Sequence, residues 1–528
     1  MHRITVICTH HSSDIYCEAD NTDTLSNILD RHGIVVNSAC GGRGICGKCT
    51  VYINDETAPV KACSYIPHAD ITVTIPDSSL IKLPASGDDS MPDSFRIINN
   101  VTERTTPSSK PDYVCAIDIG STSISVCITD SSSDITAEDT FYNSTVKEGA
   151  DVITRLQKAS EGGLTKLCSM LRSDITGSIG KLAQKSHIDP DDIKLITIGA
   201  NSTMQHLLMG LDCSGMCAYP FKTSQTSFPN VRFSDIISRQ SVHYDFLKDL
   251  NCKVLIIPSF SAFIGGDIIS GLFSLRQYAK DNICMPDDPY ILLDLGTNAE
   301  MVLGASGRLL CTSAAAGPAF EASGISCGVP CVAGAIDNIS LRKKNDGSLL
   351  INYRTVAGRH PIGICGSGII SLLSELFRLE VIDSYGTIAE DYGDHITVAS
   401  TPHVNISITQ DDIRKLQLAI AAIRTGIELL ISHSGLTTTD IKNIFISGSF
   451  GSSIDIDHLR TLHILPEEWN SDGQKIFISG NTSLKGALLA ALDDNAESSF
   501  RDILDRCQEL ELNNLPEFND IFLKNINL

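Results

Sequence analysis

The chain has 528 residues, 42% apolar and 20% charged, an ordinary globular composition in a length that allows more than one domain. Lys and Arg number 41 against 63 Asp and Glu, a formal charge of -22, which argues against sequence-independent nucleic-acid binding because that needs a cationic footprint. The opening "MHRITVICTHHSSD" has no signal-peptide apolar run. The most apolar stretch, "LQLAIAAIRTGIELLI", carries Arg424 and Glu428, so no membrane span is expected. The expected location is the cytoplasm, and the 18 cysteines are expected as ligands, redox groups or core residues rather than disulfides.

Residues 1–83 read as a small α+β domain. "RITVICTH" alternates like a strand, "NTDTLSNILDRHG" is a capped short helix ending at Gly33, and "CTVYIN" and "DITVTIP" are strands. Between helix and strands lies "ACGGRGICGKCTVYI". Its Cys40, Cys46 and Cys49, with Cys63, have the spacing C-x5-C-x2-C-x13-C. A zinc ribbon presents two separated C-x2-C pairs, and only one is present. A thioredoxin-like site leaves Cys40 and Cys63 unexplained. Gly41, Gly42, Gly44 and Gly47 let the backbone wrap closely and aim N–H groups at sulfur, while Arg43 and Lys48 supply positive charge. The stretch resembles the [2Fe–2S] ferredoxin loop, whose plant-type form is C-x4-C-x2-C with a distant fourth Cys. The first gap here is one residue longer, as in the adrenodoxin-like branch, and Cys63 follows unusually soon.

Residues 84–111, "PASGDDSMPDSFRIINNVTERTTPSSKP", are rich in Ser, Pro, Asp and Thr without periodicity and read as a flexible linker.

From residue 112 to 528 strands and helices alternate, with an internal echo. "YVCAIDIGSTSISVCITD" and "YILLDLGTNAEMVLGASGRLL" are each strand, Asp-x-Gly turn, strand, which predicts two halves, 112–288 and 289–528, around one cleft. Gly120 and Gly296 permit close approach to an anion, and Ser121, Thr122, Thr297 and Asn298 offer polar side chains. Asp118 and Asp294 suit a hydrated divalent cation beside phosphates. Such a pair fits a Mg–triphosphate clamped between half-domains, with Glu300 a second candidate for positioning water. "ISGSFGSSID" supplies Gly448, Ser449 and Gly451 for a nucleoside. "GICGSGIISLLSELF" puts Gly366 and Ser367 at a helix start, where a phosphate and tight packing are equal readings. "AGPAFEASGI" has Pro318 at a helix start and no role legible from the residues. Trp469 is expected as a packed loop aromatic, and Cys115 and Cys127 as core.

The paired loops resemble the phosphate motifs of the acetate/sugar kinase, heat-shock chaperone and actin superfamily, with "ISGSFG" similar to its adenosine motif except that Ser449 stands where a second Gly is common. A narrower resemblance spans nearly the whole chain. The cysteine loop, "GADVITRL", "LDLGTNAEMVL", "AAGPAFEASGI", "PIGICGSGII", "DIRKLQLAIAAIRTGIELL" and "GNTSLKGALLAAL" are similar to those of reductive activators of corrinoid proteins. Here the linker leads straight into the ATPase portion, without the extra middle domain of some longer relatives.

That resemblance implies a β-grasp [2Fe–2S] domain joined to an α/β ATPase of two RNase H-like halves. It implies a cluster on Cys40, Cys46, Cys49 and Cys63, and Mg2+ and ATP on the residues named above. It also implies one-electron reduction of Co(II) to Co(I) in a corrinoid protein of a methyltransferase or O-demethylase system, an external low-potential reductant, and a homodimer. The alternatives are an ATP-dependent electron donor to another low-potential metalloenzyme, a corrinoid-protein chaperone with a redox-sensing cluster, and a small-molecule kinase, which leaves the cluster idle.

Overall fold

The alternating segments at the two ends of the first domain are neighbours in the computed structural model. β1 (His2–Cys8) and β5 (Ile71–Ile75) pair in parallel. β2 (His11–Cys17) flanks β1, β3 (Thr50–Ile53) flanks β5, and β4 (Val60–Lys61) pairs with β3, giving the order β2-β1-β5-β3-β4. β5 buries alternate residues, Ile71, Val73 and Ile75, as a strand covered on one face must. Leu25 and Leu29 of helix Leu25–Arg31 complete that small core, each such side chain contributing about 1.5–3 kcal/mol. This is the expected β-grasp.

The structure describes residues 2–8, 11–17, 23–31, 34, 36, 42, 44–45, 47–54, 58–76, 79, 112–130, 135–149, 151–280, 288–322, 324–400, 405–448, 454–470 and 473–528. The expected linker, 84–111, and four site residues, Cys40, Cys46, Ser449 and Gly451, lie outside the described residues.

The second sheet starts as a meander of β6 (Tyr113–Ile119), β7 (Ser123–Asp130) and β8 (Ile135–Tyr142). β9 (Ile193–Ala200) and β10 (Lys253–Ile256) add in parallel, in the order β10-β9-β6-β7-β8. β11 (Tyr290–Leu295), β12 (Ala299–Ala305) and β13 (Arg308–Ala314) repeat the meander. The chain then makes a three-stranded sheet of β14 (Ala335–Lys343), β15 (Leu349–Thr355) and β16 (Gly363–Ile364), and a hairpin of β17 (His395–Ser400) and β18 (Asn405–Thr409). It returns with β19 (Asn443–Ser447) and β20 (Lys475–Gly480), parallel to β11, and with β21 (Cys507–Glu509) beside β13. The order β20-β19-β11-β12-β13 matches β10-β9-β6-β7-β8 strand for strand, so the echo in the sequence is a structural duplication. Central strands such as β6, with Cys115, Ala116, Ile117 and Ile119 buried, read as unbroken apolar runs because both faces are covered.

Helix Thr482–Leu492, which follows β20, packs on β6 and β9 of the other half and beside helix Gly266–Lys280. A Cβ on Gly486 would stand 1.9 Å from the Ser270 carbonyl oxygen, so the two backbones touch where only glycine fits. Thr197 Oγ1 donates to the Ala487 carbonyl at 2.7 Å across the same seam. Helix Gln410–Ser434 starts with a Thr409/Asp412 capping box and stops at left-handed Gly435. By length and composition it is apolar enough to cross a membrane. Here, however, Leu416, Ile420, Ile423, Ile427 and Leu430 fill the core of the second half. Trp469 is buried as expected, its indole N–H donating to the Thr438 carbonyl at 3.0 Å.

Candidate nucleotide site and cluster loop

The two Asp-x-Gly turns face each other. In the first, the Gly120 N–H donates to the Ser123 carbonyl at 2.9 Å; in the second, the Gly296 N–H donates to the Asn298 carbonyl at 2.9 Å. Their side chains meet across the cleft, with Ser121 Oγ 3.2 Å from Thr297 Oγ1. Thr122 Oγ1 and Thr297 Oγ1, one from each loop, both donate at 2.6 Å to Glu321 Oε2.

Strand register sets the carboxylates. Asp118 lies opposite Ser125 in β7 and Gly199 in β9, while Asp294 lies opposite Glu300 in β12 and Ser447 in β19. Ser447 Oγ donates to Asp294 Oδ2 at 2.7 Å. In the other half the corresponding residue is glycine, and a Cβ on Gly199 would come within 2.5 Å of Ser483 Oγ. Helix Thr482–Leu492 takes that place: Asn481 Nδ2 donates to Asp118 Oδ2 at 2.8 Å, while its Oδ1 caps the helix through the Leu484 N–H.

All these carboxyls are half-buried and crowded. Burial raises Asp118, opposed by Ser483 and Asn481. Burial pushes Asp294 up to about 6, opposed by the Ser447 bond and aided by the charges of Asp118 and Glu321. Glu300 is raised well above its ordinary value by burial and then by Asp267 and Asp294. Asp267 is pushed up to about 8 by burial and then by Asp294 and Asp118. Such shifts cluster where charge is needed for chemistry.

Asp267 and Glu321 are absent from the sequence-based set. Asp267 is in the first turn of helix Gly266–Lys280, and the preceding glycine is enforced by contact: a Cβ on Gly265 would lie 2.5 Å from Asn201 Cα. "GGD" before an apolar helix was the available signal. Glu321 ends the single turn Pro318–Glu321 inside the motif whose role was not legible.

The remaining candidates are placed as follows. Gly448 has φ +111°, and a Cβ there would meet the Leu295 carbonyl at 2.2 Å, so the turn expected to meet a nucleoside starts against the end of β11. Gly366 packs on the Phe320 carbonyl, with a Cβ distance of 2.0 Å, one residue from Glu321. Ser367 is buried, its Oγ 3.5 Å from Cys365 Sγ.

In the first domain, β3 and β4 pair Thr50 with Lys61. That hairpin returns the chain so that the Ala62 N–H reaches the Cys49 carbonyl at 2.9 Å and Cys49 Sγ lies 3.2 Å from Cys63 Sγ. The short x13 spacing is therefore the length of a hairpin. Gly42, Gly44 and Gly47 have φ of +81°, +71° and +67°, the left-handed turns that curl a loop around a ligand. The two adjoining buried thiols and this loop fit a metal–sulfur group. Lys48 Nζ reaches out of the loop to the Ile325 carbonyl in the ATPase portion at 3.2 Å.

Comparison with known proteins matches this layout. The 2Fe-2S iron-sulfur cluster binding domain matches residues 8–69, the RACo middle region 113–279, and the C-terminal ASKHA domain of RACo 288–528. The two RACo models together span most of the chain. The chain belongs to the RACo family. RACo's middle region coincides with the segment that forms the second sheet, the first of the two expected ATPase halves. The chain carries a [2Fe–2S]-binding domain and a nucleotide-binding ASKHA domain. The corrinoid activation enzyme RamQ of Eubacterium limosum is 25% identical over 599 residues, 95% of each chain. A [Co(II) methylated amine-specific corrinoid protein] reductase of Methanosarcina barkeri is 27% identical over 295 residues, 52% of this chain and 51% of that protein. A solved structure of a reductive activator for corrinoid, iron-sulfur protein has a TM-score of 0.68 at 25% identity, covering 100% of this chain and 98% of that one.

Proposed function

We propose that this protein reactivates a corrinoid protein by ATP-dependent transfer of one electron to Co(II), giving Co(I), while ATP and water become ADP and phosphate. The carrying observation is the convergence of two duplicated phosphate loops, Ser121 against Thr297, in a chain that also holds the cysteine hairpin. Bound by Cys40, Cys46, Cys49 and Cys63, the [2Fe–2S] cluster supplies one-electron chemistry.

The chain's own groups divide the ATPase work. Gly120, Ser121, Thr122, Gly296, Thr297 and Asn298 hold phosphates, with Gly366 and Ser367 behind them. Gly448, Ser449 and Gly451 approach the nucleoside. Asp118 and Asp294 face Mg2+. Among the described residues no group of three His, Cys, Asp or Glu forms a ready-made metal site, which suits Mg2+, an ion held by one or two carboxylates plus phosphates and water. Asp267, with a carboxyl near 8, is the acidic group whose pKa lies within reach of neutral pH, as a general base requires; Glu300 is raised well above its ordinary value by burial.

Only differential binding of ATP to two arrangements of the protein can drive an uphill electron transfer. A methyltransferase or O-demethylase partner, an external low-potential reductant, a homodimer and a cytoplasmic location belong to the same reading; the names of the relatives support its corrinoid-protein partner. The test is Co(I) absorbance after mixing the reduced protein with a Co(II) corrinoid protein, with and without Mg–ATP. The expected result is Co(I) only when cluster and ATP are both present. ATP-dependent binding without Co(I) overturns the reading in favour of a chaperone.

A further inference from the structure

Glu321 holds both phosphate loops at once, and each loop hydroxyl has a single proton to give. Thr122 and Thr297 both spend it on Glu321 Oε2, so neither donates to a phosphate oxygen while that bond stands. The other carboxylate oxygen leans over the second loop, 3.5 Å from where a Cβ on Gly296 would be. Asp294, Tyr142 and buried Arg155 also feel the Glu321 charge. A triphosphate carrying its own negative charge competes with this carboxylate for the same donors.

The chain from Glu321 leads directly to the cluster loop. Ala322 is left-handed at φ +62°. Its carbonyl is packed so closely that a Cβ on Gly328 would lie 1.8 Å away, and a Cβ on Gly366 would lie 2.0 Å from the Phe320 carbonyl. Four residues past Glu321, the Ile325 carbonyl accepts from Lys48, next to Cys49. Ser326 is fixed to Asp412 Oδ1 through its N–H at 2.8 Å. Close-packed segments of this kind shift between discrete arrangements rather than bending gradually.

We propose that Glu321 is a positioning residue that ties the two ATPase halves together and gives up Thr122 and Thr297 to a Mg–triphosphate, and that its release changes the seat of Lys48 on Ile325. The nucleotide site thereby reports to the cluster domain. This rests on the ATP-dependent reading above and adds its regulation.

The test uses the full cluster-loaded chain and Mg–AMPPNP, with affinity measured by calorimetry and the cluster followed by visible circular dichroism. Glu321→Ala removes the competing acceptor and binds about tenfold more tightly. Glu321→Gln keeps a weaker, neutral acceptor and falls between. In Glu321→Ala the cluster spectrum no longer changes on adding nucleotide. Lys48→Met keeps wild-type nucleotide affinity and loses the spectral change. A residue that merely supports the fold, or that ligates Mg2+, gives weaker binding when removed, and that result overturns the proposal, as does a spectral response that survives Glu321→Ala. If Glu321→Ala does not fold, unchanged or weaker binding in Glu321→Gln overturns it alone. Absence of nucleotide binding in the wild type refutes the ATP-dependent reading itself. Wild-type Co(I) formation with unchanged affinity in Glu321→Ala refutes only the tie.

Discussion

Ser121 donates its hydroxyl proton to Thr297 across the two halves of the ATPase portion. The oxygens are 3.2 Å apart, and the Thr297 proton is already committed to Glu321, which leaves Ser121 as the donor. The contact is a direct gauge of closure, because it joins the two loop tips with no third residue between them.

Thr297→Val tests that gauge. Thr297 is buried, and valine keeps its shape while deleting the hydroxyl. Loss of one phosphate-facing donor costs about 1–2 kcal/mol, so KM for ATP rises about tenfold with a smaller change in kcat. Steady-state phosphate release checks this. A wild-type KM removes Thr297 from the phosphate site.

Asp267→Asn separates catalysis from stability. The folded-state pKa of Asp267, near 8, lies above that of an unfolded aspartate. Its contribution to stability is therefore complete below about pH 4 and is lost as pH rises through about 8. Asparagine cannot ionise. Without nucleotide, the variant's Tm should gain on the wild type's steadily from about pH 4 to about pH 8 and hold the margin reached there at higher pH. ATP hydrolysis, by contrast, falls about 100-fold and loses its rise toward alkaline pH. Calorimetric scans and a pH–rate profile read both. A constant Tm margin means the carboxyl is not perturbed.

The loops and the cysteine hairpin were legible because their residues act within a few positions of one another. Asp294 opposes Glu300 by strand register alone, and Cys49 meets Cys63 by one hairpin. Asn481 was legible only as the residue before an apolar helix. Its second role, donating to Asp118, spans 363 positions and needs the helix to cross into the other half. Glu321 was hidden for the same reason: its partners lie 199 and 24 residues away on different loops, and no local pattern distinguishes it from a surface glutamate.

Gly486→Ala tests the crossing. The added Cβ would sit 1.9 Å from the Ser270 carbonyl, a backbone atom that cannot swing aside. Overpacking of this kind costs about 1–3 kcal/mol, although alanine favours the helix by about 1 kcal/mol. Net destabilisation is expected, together with weaker ATP binding as Asn481 is moved from Asp118. Thermal unfolding and nucleotide titration check it; a more stable variant would mean that the helices are not in contact at Gly486.

Cys63→Ser tests the ligand that the short spacing made questionable. Cys63 is 7% exposed, and its sulfur adjoins that of Cys49 inside the small core, so serine there loses a soft thiolate ligand and buries a hydroxyl. Iron content should fall well below two per chain, and the dithionite-reduced EPR signal should vanish or change its g-values. The ATPase portion has its own cores, so ATP hydrolysis persists while Co(I) formation stops. Retained iron with an unaltered EPR spectrum would move the fourth ligand away from Cys63 and leave the 3.2 Å sulfur contact as packing alone.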